Sequence, residues 1–300
     1  MNADLSALPP IDIQLGSDPV LLLDELRSII ARRIADHPRS QQTRLGPSEI
    51  GDPCARRLAY KLTGLPKARE MSTPWRPTVG TAVHAWLEEA LAEDNTTLRQ
   101  RIGTSRWLME TSIDAGPMAG ARLTGHSDLY DRITCTVIDW KIIGPSAHKT
   151  LRADLNTGRG PRPEYQVQLH TYGLGYVNRG LHVERVMLVA LPAAGELDDA
   201  LMWHAPWDRA VADAAMARVD RIHALTATLG PAALTVTNGQ LRAAGVPQLA
   251  DGDDDGLAVG MDGHGCRFCP WLAAGSDDPV MGCPGADATA NTRHLEALIA

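Results

Sequence analysis

No apolar run in this chain approaches the ~18 residues that a membrane-spanning helix needs, so no transmembrane span is expected. The first residues, MNADLSALPPIDIQLGS, lack the basic start and apolar stretch of a secretory signal, and the expectation is a cytoplasmic protein. No repeat of fixed period is visible. No G-x-x-x-x-G-K-[ST] phosphate loop occurs, so any motor would be a separate partner. The five cysteines are an odd set without export signals, which argues against a disulfide framework and for metal binding or free thiols.

The chain does have the length for a core. Its 300 residues, 44% of them hydrophobic, suit one large domain or a domain with appendages. The net charge of −7 is unevenly spread. Residues 231–300 carry nine Asp/Glu against three Arg, a net of −6, whereas Arg44 to Arg185 holds nineteen Lys/Arg against fifteen Asp/Glu, a net of +4. Local charge rather than the total sets attraction to phosphate, and the central region is mildly basic.

Apolar spacing predicts helices over 18–37, from Pro53 to Gly64, over 79–92 with Val83, Leu87, Ala90 and Leu91 buried, over 164–178 and over 206–229. Strands are expected at 107–114, 121–130, 134–142 and 182–191, with 201–203 pairing against the last. Lys141 to Pro163, broken by Gly144, Pro145, Gly158, Gly160 and Pro161, reads as an irregular basic stretch, either a solvated loop or a mobile lid that grips a nucleic-acid backbone. This order suggests an α/β fold, a mixed central sheet flanked by helices. The divisions expected are an N-terminal helical segment over 1–64, a core over 65–230, and an acidic cysteine-bearing region over 231–300.

Residues two apart in a strand share a face, so Asp139 and Lys141 point together, as do His126, Asp128 and Tyr130. If the two strands pair antiparallel, Asp128 and Asp139 meet across the pair. Two carboxylates there would bind a hard divalent cation, with a lysine beside them to meet a phosphate. Asp-x-Lys alone is a weak signal and fits a solvated strand edge equally well. His84 and Glu88 lie one helical turn apart, as do Gln168 and Tyr172.

Taken in order, GTAVHAWLE (80–88), GHSDLY (125–130), VIDWK (137–141) and QLHTY (168–172) resemble the RecB-like branch of the PD-(D/E)xK nucleases. The resemblance implies a restriction-endonuclease-like core and a Mg²⁺- or Mn²⁺-dependent DNA nuclease. It implies that His84, Asp128, Asp139 and the main-chain carbonyl of Ile142 hold metal. It further implies that Lys141 is catalytic and that Gln168 and Tyr172 position substrate and site.

Cys266-x-x-Cys269 can place two thiolates on one metal, with Cys283 near enough to be a third ligand and Cys54 a distant fourth. Spacing alone leaves zinc and an iron–sulfur cluster open, and His264 is a competing ligand that would favour zinc. One cysteine before the nuclease motifs and three after them resembles the iron–sulfur RecB-like nucleases, which include the CRISPR-associated Cas-four family. That likeness implies a [4Fe–4S] cluster tying the N-terminal helix to the C-terminal segment, with exonuclease action on single-stranded or frayed DNA ends and possible endonuclease activity. Helicase, recombination or CRISPR-adaptation proteins are the partners it implies. Cys135 is expected within a strand, facing the core. Arg56, Arg57, Lys149, Arg152, Arg159 and Arg162 are candidates for gripping phosphates, against the alternative of solvated surface charge. A non-cutting DNA-end or partner-binding module on the same fold is the other class of function.

Overall fold

A computed structural model of the chain describes residues 19–36, 44–69, 75–229, 269–273, 276 and 282–283. The chain divides into two compact units, Met1–Gln42 and Thr43–Ala300. The described part of the first is helix α1 (Pro19–Ala35). The second carries α2 (Ala55–Leu62), α3 (Trp75–Ile102), β1 (Trp107–Met118), β2 (Ala121–Asp131), β3 (Thr136–Ile143), α4 (Pro145–Asn156), α5 (Pro163–Asn178), β4 (Arg185–Pro192), β5 (Leu201–Pro206) and α6 (Arg209–Leu229). None of the helices is long and apolar enough to cross a membrane among the described residues.

Five strands form one mixed sheet in the order β1-β2-β3-β4-β5. The pairs β1–β2, β2–β3 and β4–β5 are antiparallel, and β3–β4 is parallel. A parallel neighbour needs a crossover connection, which α4 and α5 supply. The expected α/β class, the antiparallel β2–β3 pair and the short final strand against β4 are all present.

Two apolar clusters pack the sheet and its helices. One joins Ile50, Leu58, Tyr60, Leu123, Leu174, Val219 and Ile222. The other joins Tyr130, Val137, Leu169, Tyr172, Tyr176, Val186 and Leu188. Helix α5 contributes to both and is buried along much of its length, from Gln168 to Tyr176. Close approach explains Gly173 in that helix: a Cβ there would lie 2.2 Å from Trp207 Nε1, whose N–H donates to the His170 carbonyl at 3.0 Å.

Two expectations are corrected. The supposed lid over 141–163 contains the twelve-residue helix α4, with Pro145 in its first turn. Proline is preorganised for that position, and SAHKTLRADLN continues with tolerable helix formers until Gly158, at φ +75°, turns the chain away. Cys135 is not in a strand. It sits half-buried in the β2–β3 turn at φ 50°, and its carbonyl accepts from Glu184 N at 2.9 Å. The turn needs a left-handed residue to reverse the chain, so β3 begins one residue later. Along α3 the expected buried stripe is weaker: Val83, Leu87 and Leu91 are only half-buried, and Ala90 is exposed.

Asp131 ties the start of β1 to the end of β2. It is 3% exposed and accepts from Arg106 Nε at 2.8 Å and Nη2 at 2.7 Å, from Thr134 Oγ1 at 2.7 Å and from Ile133 N at 3.0 Å. Burial would raise its pKa, but these donors hold it below the usual carboxylate range. A carboxyl depressed in the folded state stabilises above its unfolded pKa, and that contribution is lost as pH falls through the folded value. Asp131→Ala should therefore cost about 2–4 kcal/mol in urea unfolding at pH 7 and much less at pH 2–3. An equal loss at both pH values would refute the electrostatic account.

Candidate metal centre

The register of β1 and β2 starts from a two-residue hairpin, with Ala119 and Gly120 both at positive φ between the paired Met118 and Ala121. Ala115 is then inserted as a bulge, and the pairing shifts by one residue between Gly116–Leu123 and Asp114–Thr124. Asp114 Oδ1 accepts from Gly116 N at 2.9 Å across this bulge. Beyond it, Met109 pairs with Leu129 and Thr111 with Ser127, which places Glu110 opposite Asp128. Leu129 pairs with Ile138, so one further step would place Asp128 opposite Asp139. The ladder stops there, and Trp140 N donates instead to Asp128 Oδ2 at 3.0 Å.

Three carboxylates thus come from consecutive strands, an arrangement that like charge disfavours unless a cation answers it. His84 arrives from α3, its Nδ1 3.5 Å from Asp128 Oδ2. One ligand atom each from His84, Glu110 and Asp128 lies within 4.8 Å of the others. Glu110 has a φ of 41°, strain of the kind that collects at working sites. It was missed in the sequence because only the bulge sets it against Asp128. An acidic residue in mid-strand was the sole signal available. Glu88, the helical partner of His84, is exposed.

The motif glycine before Asp128 has a steric cause. A Cβ on Gly125 would lie 2.8 Å from Pro47 Cδ, so only glycine lets the turn before α2 pack against β2.

Helix α5 holds Asp139 and Lys141 through one amide. Gln168 Nε2 donates to Asp139 Oδ1 at 2.9 Å and to the Tyr172 hydroxyl at 2.9 Å, while its Oε1 accepts from Lys141 Nζ at 3.1 Å. Lys141 also forms an ion pair with Asp139 and lies 5.2 Å from the centre of the Tyr165 ring. Asp139 is 1% exposed, and burial pushes its pKa up to about 7, against the pull of Lys141. Asp128 moves down: burial opposes ionisation, but His84 and Lys141 overcome it. His84 and Lys141 both move up, because their acidic neighbours outweigh burial. Two buried atoms, His84 Nδ1 and Asp139 Oδ2, make no hydrogen bond of normal geometry. A nitrogen and several carboxylate oxygens are a fitting set for a hard divalent cation such as Mg²⁺ or Mn²⁺. Ile142 follows on β3, half-buried and paired with Leu191.

Three of the four candidate cysteines are buried at one apolar cluster, though their sulfurs do not form a group within 4.8 Å of one another among the described residues; Cys266 lies outside the described residues, as do His264 and Phe268. Cys54, Cys269 and Cys283 are buried in one apolar cluster with Tyr60 and Trp271, whose rings stack with centroids 6.0 Å apart. Cys54 caps α2, its Sγ accepting from Arg57 N at 3.4 Å. Burial raises the Cys54 thiol to about 11. The C-terminal cysteines are strapped on by backbone: Ala68 N donates to the Pro270 carbonyl at 3.0 Å, and Trp271 Nε1 to the Leu65 carbonyl at 3.0 Å.

The predicted phosphate-gripping residues separate into two groups. Arg56 is 6% exposed and directs Nη1 at Cys283 Sγ, 3.7 Å away. Arg57 pairs with Asp52 at 2.8 Å and interacts with Cys269. Both therefore sit among the cysteines. Lys149, Arg152, Arg159 and Arg162 are exposed, the arginines facing Asp199 at 3.6 Å, Asp154 at 3.0 Å and Glu164 at 2.7 Å respectively.

No family model matches the chain, and no curated protein does. Among solved structures, an alkaline exonuclease (LHK-Exo) from Laribacter hongkongensis is similar at 16% identity, over 65% of this chain and 92% of that one, with a TM-score of 0.39. The same protein in complex with dAMP aligns at 19% identity, over 65% and 94%, with a TM-score of 0.31. A likeness this distant carries no argument about activity, which must come from the site itself.

Asp139 lies outside the group formed by His84, Glu110 and Asp128, and if it joins them around a cation, its proton must leave. Calorimetric Mn²⁺ affinity should rise from about pH 5.5 through neutrality as Asp139 and His84 give up their protons, with Asp139→Asn lowering the slope and leaving the part that belongs to His84. A flat profile in the unaltered protein would remove Asp139 from the ligand set.

Proposed function

We propose that this chain is a Mg²⁺- or Mn²⁺-dependent DNA nuclease. The observation that carries the reading is the Asp139–Gln168–Lys141 network seated beside the carboxylates of Glu110 and Asp128. A lysine that is charged, half-buried and held between a carboxylate and an amide is preorganised to meet an anion. His84, Asp128, Asp139, Glu110 and the Ile142 carbonyl would hold the metal. Bound there, it would lower the pKa of a water and screen the phosphate oxygens.

The chain's own part is positional. The Lys141 ammonium offers its charge to the non-bridging oxygens as negative charge builds on phosphorus. Gln168 fixes Lys141 and Asp139 relative to each other, and Tyr172 fixes Gln168 from one helical turn away. Burial of Asp139 keeps water from screening the pair. We assign single-stranded or frayed DNA ends as substrate and exonucleolytic cleavage as the main mode, with the exposed Arg159 and Arg162 as candidate phosphate contacts. A separate helicase, recombination or CRISPR-adaptation protein would supply such ends.

Cys54, Cys266, Cys269 and Cys283 would hold a [4Fe–4S] cluster with a structural role. Three buried thiols beside two arginines suit a group that binds thiolates, because Arg56 and Arg57 can answer the negative charge of the sulfurs. Zinc is the competing occupant, and it is colourless.

Two experiments test this reading. Lys141→Ala and Asp139→Ala should each lower cleavage of end-labelled single-stranded DNA by at least about 100-fold. Cleavage surviving both would refute the site. Cys266→Ala should lose broad visible absorbance and folded yield together in anaerobic preparations. A colourless unaltered protein carrying zinc would replace the cluster assignment.

A further inference from the structure

A cavity of about 340 Å³ is lined by Ile143, Pro145, His148, Lys149, Arg152, Pro192, Ala194 and Asp199, its nearest link to the proposed centre being Ile143, two residues along β3 from Lys141. Its base is the register pair Ile143–Pro192 at the carboxyl ends of the parallel strands β3 and β4. Ligands of open α/β sheets gather at such carboxyl edges. Ile143 stands two residues beyond Lys141, on the same side of β3 as Lys141 and Asp139, about 7 Å further along the strand. That distance is on the scale of one nucleotide repeat in an extended strand.

The lining has two characters. Three basic side chains come from one face of α4, at positions 148, 149 and 152. Asp199 steadies two of them: its carbonyl lies 2.7 Å from His148 Nε2, and its carboxylate 3.6 Å from Arg152 Nη2. Lys149 is exposed at the rim. Pro145, Pro192, Ile143 and Ala194 supply apolar lining suited to a sugar face. Asp199 offsets part of the positive charge, and the cavity remains basic.

We propose that this cavity binds a non-scissile phosphate of the DNA strand, the one adjoining the phosphodiester held at Lys141. The inference rests on the nuclease reading above. It makes Lys149 and Arg152 substrate-binding residues that act on strand placement and not on the chemical step.

The test uses the full chain, with Lys149→Glu, Arg152→Glu, the double variant, and Arg209→Glu, on the exposed start of α6, as a control matched in charge to the single variants. Single-stranded oligonucleotides are prepared unmodified and with one neutral methylphosphonate placed on either side of the cleaved linkage. In the double variant KM should rise at least about tenfold with kcat within about twofold. The salt slope of oligonucleotide binding should fall by about 0.7, as expected for one lost phosphate contact. Arg209→Glu should change neither. One methylphosphonate position should raise KM in the unaltered protein and add nothing in the double variant.

Unaltered protein that cleaves DNA, with variants keeping its KM and salt slope, would overturn the cavity assignment and leave the nuclease reading intact. Absence of cleavage, with the variants still lowering affinity and slope, would support phosphate binding and refute the nuclease. Protein that neither cleaves nor binds DNA would overturn both.

Discussion

The register of β1 against β2 is the constraint from which the candidate centre follows. Side chains alternate along a strand, so a slip of one residue exchanges everything that meets across the pair. The inserted Ala115 makes that slip: continued from the hairpin without it, the pairing would set Thr111 opposite Asp128. With it, Glu110 takes that place. The bulge is stabilised locally, by the Asp114 carboxylate accepting from Gly116 N and by burial of Ala115. A small backbone feature therefore decides whether the cleft holds two carboxylates or three.

The three acidic groups then differ because their surroundings differ. Asp128 is kept ionised by His84, Lys141 and the Trp140 amide despite burial. Asp139 is more deeply buried and is held near the point of protonation, although Lys141 stands against it. An arrangement of this kind is under electrostatic tension without a cation, and a well-packed apolar substitute would be easier to fold. The Gln168 amide keeps the groups apart and oriented, since its oxygen faces the ammonium and its nitrogen the carboxylate.

Much of this was legible in the residues. Asp139 and Lys141 on one side of a strand, Asp128 on its antiparallel neighbour, and Gln168 with Tyr172 one turn apart all follow from simple periodicities. Those periodicities are local, and the structure keeps them. Glu110 was not legible, because its partner depends on a bulge that periodicity does not encode. Helix α4 was hidden by the prolines and glycines at its margins, which read as loop when they are its start and stop signals. Arg56 looked like a surface cation because charge suggests solvent. Its burial follows from cysteines over two hundred residues away, which no local pattern reports.

That separation bears on how the molecule is assembled. Cys54 and Cys283 meet in one buried cluster with α6 packed against it, so nearly the whole chain intervenes between contacting residues. Joining such distant segments carries a loop-closure cost that local helices and the β1–β2 hairpin do not face. During synthesis the sheet and its carboxylate row can form while the tail is still unmade. Closure of the cysteine cluster waits until the segments carrying Cys269 and Cys283 have been made. The thiol of Cys54 therefore stays uncovered by them until then, and any group that these cysteines share must arrive after they are all in place.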